Sequence, residues 1–143
     1  MRYGAAMDWI DGEYVISDDK RRLNLEEVCR LLGDTYWAKG RPQSVIERSV
    51  ANSICFGVYF QGTQVGFARA VTDGATFTWI ADVIVSPDHR GKGLGKWLMK
   101  CVLEHPELQN GKQVLRTLDA HGLYEKFGFE RMEFMLRKPP GEF

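Results

Sequence analysis

The residues of this chain that could do chemistry gather around one glycine-rich turn. Arg90-Gly91-Lys92-Gly93-Leu94-Gly95-Lys96 follows an apolar run and precedes a pattern with Leu94, Trp97, Leu98 and Cys101 on one helical side. Peptide N–H groups in the first turn of a helix lack intrahelical partners and carry partial positive charge. Glycines at 91, 93 and 95 let an oxygen reach that backbone, and Arg90, Lys92 and Lys96 add full charges. The result is an anion cradle, best suited to a diphosphate. The interleaved glycines favour this over a merely solvated basic face. A Walker pattern is absent, and the spacing is Gly-x-Gly-x-Gly rather than the Gly-x-Gly-x-x-Gly that opens a βαβ unit. Nucleotide hydrolysis and hydride transfer therefore fit poorly.

Two further side chains stand out. Asp82 interrupts the apolar run from Phe77 to Val85, where an unpaired carboxylate is costly. It could accept a proton directly or through water, hold an ammonium group, or serve structurally, paired with a base such as Arg69. Tyr124 either packs beside Phe127 and Phe129 or offers a phenolic proton. His89 lies in the turn and reads as solvated, His121 follows Ala120, and His105-Pro106 reads as a helix end. Cys29, Cys55 and Cys101 form no Cys-x-x-Cys pair, so they read as reduced, mostly buried thiols and give no metal site.

These residues need elements to hold them. Tyr14 to Ser17 reads as a short strand. Leu23 to Trp37 has helical spacing, with Asn24 as N-cap and Glu26 and Glu27 in the first turn. Lys39-Gly40-Arg41-Pro42 breaks it, and Ser44 to Asn52 forms a second helix. Cys55 to Phe60 and Val65 to Val71 read as a hairpin, and Phe77 to Val85 as a central strand buried on both faces. A helix from Leu94 to Glu104, a strand from Gln113 to Leu118, a short helix around Tyr124 and a last strand near Glu130 to Leu136 complete the order. That order predicts an α+β fold over residues 1–143, one domain with a mainly antiparallel sheet flanked by helices and at least one crossover, from Val85 to Val114.

The wider phrase Val85-x-Pro87-x-x-Arg90-Gly91-Lys92-Gly93-Leu94-Gly95 resembles the GCN5-related N-acetyltransferases (GNAT), whose hallmark is Gln/Arg-x-x-Gly-x-Gly/Ala between a strand and a helix. Downstream, Ala120, Tyr124, Gly128 and Phe129 match a second family phrase, with Thr117 where the family often has Asn. The resemblance implies acetyl-CoA as co-substrate, with its pantetheine arm in a gap where the central strand splays from the next. Val83, Ile84 and Val85 would line that arm, Arg90 to Lys96 would hold the diphosphate, and Thr117, Ala120, Tyr124 and Phe127 would complete the cofactor site. It implies direct attack by an amine on the thioester, with Tyr124 as acid toward sulfur and Asp82 as base or acceptor contact. Tyr36 and Trp37 would wall the acceptor pocket.

Composition narrows the partners. Nineteen basic and nineteen acidic side chains cancel, so no global field gathers nucleic acid. No run approaches the ~20 apolar residues of a membrane span, and the N-terminal stretch reads as no secretory leader. The expectation is a cytoplasmic enzyme acting on a small amine without a metal, and the family resemblance allows a homodimer. Transfer to a protein lysine or N-terminus, and a non-catalytic CoA sensor, are the alternatives.

Overall fold

Six strands are laid side by side in the order of the chain. They are β1 (Asp8–Asp11), β2 (Tyr14–Ser17), β3 (Ile54–Phe60), β4 (Thr63–Thr72), β5 (Phe77–Val85) and β6 (Lys112–Val114). This computed structural model describes residues 5–141; Met1 to Gly4 of the N-terminal stretch and the last two positions lie outside it. Neighbouring strands from β1 to β5 run antiparallel, and β6 runs parallel to β5. A parallel pair cannot be joined by a hairpin, so the chain crosses over through α3 (Leu94–Glu104) between them. This is the mixed α+β fold expected from the order of elements.

Helices cover both faces of the sheet. On one face Leu98, Met99, Cys101 and Val102 of α3 pack with Phe56, Val58, Ala68, Ala70 and Ile80. On the other, α1 (Leu25–Gly33) and α2 (Gln43–Ala51) bring Val28, Leu31, Leu32, Ile46 and Val50 onto Cys55 and Phe67. The alternation of β4 divides these contacts, with Phe67 on the α1 side and Ala68 and Ala70 on the α3 side.

Several boundaries differ from the sequence reading. Asn24 does cap α1, its Oδ1 accepting from the Glu27 amide at 3.2 Å. The helix stops at Gly33 rather than Trp37, because the Thr35 hydroxyl donates to the Leu32 carbonyl and accepts from the Ala38 amide. That side chain replaces the helical ladder with a turn. β1 was not anticipated, being only four residues long. β6 stops at Val114 instead of reaching Leu118. Glu130 to Leu136 forms no strand: Met132, Phe134 and Leu136 alternate as a strand would, but the segment runs exposed without a ladder partner. Among the described residues no helix is long and apolar enough to cross a membrane.

Candidate active site

The site begins with one extra residue in β5. Phe67 pairs with Ile84 and Arg69 with Ala81, so Asp82 and Val83 together face the single residue Ala68. Asp82 has φ 55°, in the left-handed region that few residues other than glycine enter, with Asp and Asn the least disfavoured. This is a β-bulge, and it reverses the side-chain parity of the strand beyond it. Ile80 and Val83 consequently both pack on the α3-side cluster, although three positions apart, while Ile84 turns to the α1-side cluster.

The bulge aims the Asp82 carboxylate into a set of donors. Its Oδ2 accepts from Arg41 Nη1 at 2.9 Å and Arg69 Nε at 3.0 Å, and its Oδ1 from Trp37 Nε1 at 3.0 Å. Arg69 also donates to the Ser53 hydroxyl at 3.1 Å. The Asp82 side chain is 2% exposed, and those of Arg41 and Arg69 are 14% and 13%. Two guanidiniums on one carboxylate leave this buried group with one net positive charge.

Beside the bulge, β5 and β6 part. They pair only from Phe77 to Trp79 against Lys112 to Val114, after which the chain beyond β6 diverges. Among the described residues, no strand lies on this edge of β5 from Ile80 to Val85. Gly111 fixes where the pairing starts: its φ is 77°, and a side chain there would collide with the Thr76 backbone. A cavity of roughly 350 Å³ opens at the parting, lined by Tyr36, Trp37, Arg41, Arg69, Asp82 and Tyr124 among others. Tyr124 lies on α4 (His121–Glu125), its ring edge-on to Phe129 at 6.0 Å. Burial above all, with Tyr36 and the Asp119 carboxylate nearby, pushes its phenol up from the ordinary 10.0. Tyr124 thus stays a proton donor at neutral pH.

At the other end of β5 stands the glycine turn. Gly93 has φ 81° and forms the N-cap of α3 without a side-chain capping bond, so the first amides of the helix are not claimed by a cap. Open space lies where a Cβ would project from Gly91, Gly93 and Gly95. An anionic group fits this opening. Arg90 Nε donates to the Val85 carbonyl at 2.9 Å and ties the turn to the strand end. His89, read as solvated, is instead half-buried: its Nδ1 shares a 2.8 Å hydrogen bond with the Tyr14 hydroxyl. Lys92 Nζ donates to the same hydroxyl at 3.3 Å. Tyr14 on β2 thereby buttresses the turn.

A family model for the acetyltransferase (GNAT) domain matches residues 51–131, which run from the end of α2 through the turn to Arg131. The chain belongs to the GNAT family. A GNAT-family protein of Xanthomonas campestris pv. campestris, of known crystal structure, is 42% identical, with a TM-score of 0.84 over 90% of this chain and 94% of that one. A Gibberella zeae protein with an acetyltransferase name is 31% identical over 143 residues, 83% of this chain and 80% of its own. A spermine/spermidine N(1)-acetyltransferase of Bacillus subtilis is 29% identical over 87 residues, 52% of this chain and 57% of its own. As a GNAT protein this chain is an acetyltransferase.

The GNAT fold gathers the expected residues unevenly. Val83, Ile84 and Val85 lie half-buried on the open edge of β5, and Arg90 to Lys96 form the turn and helix start. Tyr36, Trp37, Asp82, Thr117, Ala120 and Tyr124 converge on the cavity. The Thr117 hydroxyl accepts from the Ala120 amide at 3.0 Å and so shapes the entry to α4. Phe127 packs half-buried against the main core. Sequence reasoning missed Arg41, Trp79, Arg116 and Asp119 in the cavity wall, and Tyr14 under the turn. Only Asp82 pointed to such partners, since a carboxylate in a central strand demands cations.

Proposed function

We propose that this GNAT protein is an acetyl-CoA-dependent N-acetyltransferase whose acceptor is the primary amine of a small molecule. One observation carries the reading: the open edge of β5 runs from an uncapped, glycine-lined helix start to a cavity holding a raised-pKa tyrosine. Arg90 to Lys96 would hold the diphosphate, and the open edge of β5 at Val83 to Val85 would line the pantetheine arm. Acetyl-CoA supplies a thioester carbonyl open to nucleophilic attack.

The residues of the chain then have distinct tasks. Trp37, Arg41 and Arg69, fixed by Asp82, bound the space that an amine must occupy. As the new C–N bond forms and the C–S bond breaks, Tyr124 gives its phenolic proton to the departing sulfur. The amine loses its own proton, which restores the phenol through solvent. Asp82 takes a positioning role here, because about four acceptor sites exist on a carboxylate and three are already filled.

Two measurements test the proposal together. Acetyl-CoA at millimolar concentration raises the melting temperature by mass action, and a panel of primary amines releases free CoA thiol. An unchanged melt sinks the acetyl-CoA reading. A raised melt without thiol release from any amine marks a non-catalytic CoA-binding module.

A further inference from the structure

Arg41 and Arg69 do more than neutralise Asp82. Each guanidinium carries five N–H donors in a planar fork. Among the described residues, Arg41 gives one of its five to a protein partner and Arg69 gives two. Both remain largely buried and both line the cavity. Arg116 lines the same cavity from its exposed rim and makes no ion pair among the described residues. Against these three cations stand two carboxylates, Asp82 and Asp119, so the cavity wall carries one excess positive charge.

That wall is separate from the glycine turn. Asp82 lies four residues before Ser86, about 13 Å of strand at roughly 3.3 Å per residue. A diphosphate on the turn therefore does not neutralise the guanidiniums at the bulge. Buried cationic charge in a concave site is stabilised by a matching anion, and the guanidinium fork fits a carboxylate or phosphate through paired hydrogen bonds. A polycationic acceptor meets repulsion in the same place. This charge pattern opposes polyamines, the acceptors that the name of the Bacillus subtilis relative carries.

We infer that the acceptor is an amine bearing an anionic group, a carboxylate or a phosphate, held against Arg41 and Arg69. This rests on the acetyltransferase reading of the cavity.

The test uses matched pairs on the intact protein with acetyl-CoA: β-alanine against β-alaninamide, and phosphoethanolamine against ethanolamine, with spermidine as the polycation. At least one anionic member should exceed its neutral twin by about tenfold or more in kcat/KM, as expected for a charge-assisted contact; which pair responds tells carboxylate from phosphate. Arg41→Gln should raise KM for the anionic amine and bring the ratio toward one while leaving KM for acetyl-CoA unchanged. Should that variant fold poorly, Arg116→Gln, at the exposed rim, should lower the same ratio by a smaller factor. Neutral members that match the anionic ones, or spermidine as the best acceptor, overturn the inference and leave the enzyme reading standing. No thiol release from either anionic amine overturns it too; release from the neutral twins or spermidine in the same series leaves the enzyme reading standing, and release from none of the five amines fails both.

Discussion

The two ends of the open β5 edge prepare for negative charge by different means. At the α3 start the donors are backbone amides, exposed by Gly93 in a left-handed cap and by glycines on either side. At the bulge they are side chains, Arg41 from the chain before α2 and Arg69 from β4, gathered on a carboxylate from β5. The first device is local, contained within a few residues. The second exists only once three distant segments have folded together. A local backbone site suits a ligand part that never changes, whereas a side-chain wall can be rebuilt one residue at a time to suit another acceptor.

Four substitutions separate the two ends. The largest effect is expected from Gly93→Val, which forces a β-branched residue into φ 81° and fills the open space over the helix start. Acetyl-CoA should no longer raise the melting temperature, a loss on the order of 100-fold or more in affinity, beside a strain cost of about 1–3 kcal/mol. A retained shift would place the diphosphate elsewhere. Asp82→Asn comes next. It leaves two buried guanidiniums facing a neutral amide and should lower stability by about 3 kcal/mol in urea denaturation, with acetyl-CoA affinity unchanged. The pH–rate profile of the same variant checks the positioning role: a lost acidic limb would return Asp82 to the part of proton acceptor.

Tyr124→Phe should reduce kcat on the order of 100-fold and leave the acetyl-CoA melting shift intact. Because the Tyr124 pKa is raised, its phenol stays protonated where an ordinary tyrosine begins to ionise. Turnover should therefore not fall through loss of this donor between about pH 9 and about pH 10. A decline there that Tyr124→Phe abolishes would contradict the raised value. Tyr14→Phe should have the smallest effect. It removes the hydroxyl shared by His89 and Lys92 and should weaken acetyl-CoA binding about two- to tenfold, the range of one ordinary hydrogen bond. Isothermal titration would read this directly, and an unchanged affinity would show that the turn holds without its buttress.

The same contrast explains what the sequence disclosed. The glycine turn was legible because its chemistry is contiguous: three glycines, three cations and a helix start need no tertiary contact to be recognised. The helices and the long strands were legible from apolar period. The end of α1 was not, since the Thr35 hydroxyl overrides a spacing that would continue to Trp37. Glu130 to Leu136 has the alternation of a strand, but periodicity cannot supply the ladder partner that a strand requires. Asp82 was conspicuous, and Arg69 could be guessed as its partner from the adjoining hairpin. Arg41 could not, because 41 positions separate it from Asp82 and nothing local marks the pairing.

The extra residue of β5 also constrains how this chain can diverge. Beyond Ala81 the face that each side chain takes depends on how many residues precede it, not on which they are. Exchanges among branched aliphatics at Val83, Ile84 and Val85 should be mild. Deleting Val83 would merge the bulge into a regular ladder and remove the left-handed kink that presents Asp82, while deleting Val85 would draw the glycine turn back by about 3.3 Å. Length in this stretch is accordingly a stricter inheritance than sequence. Descendants with new acceptors should arise by substitution in the arginine wall, while insertions and deletions collect in exposed turns such as Asp73 to Thr76.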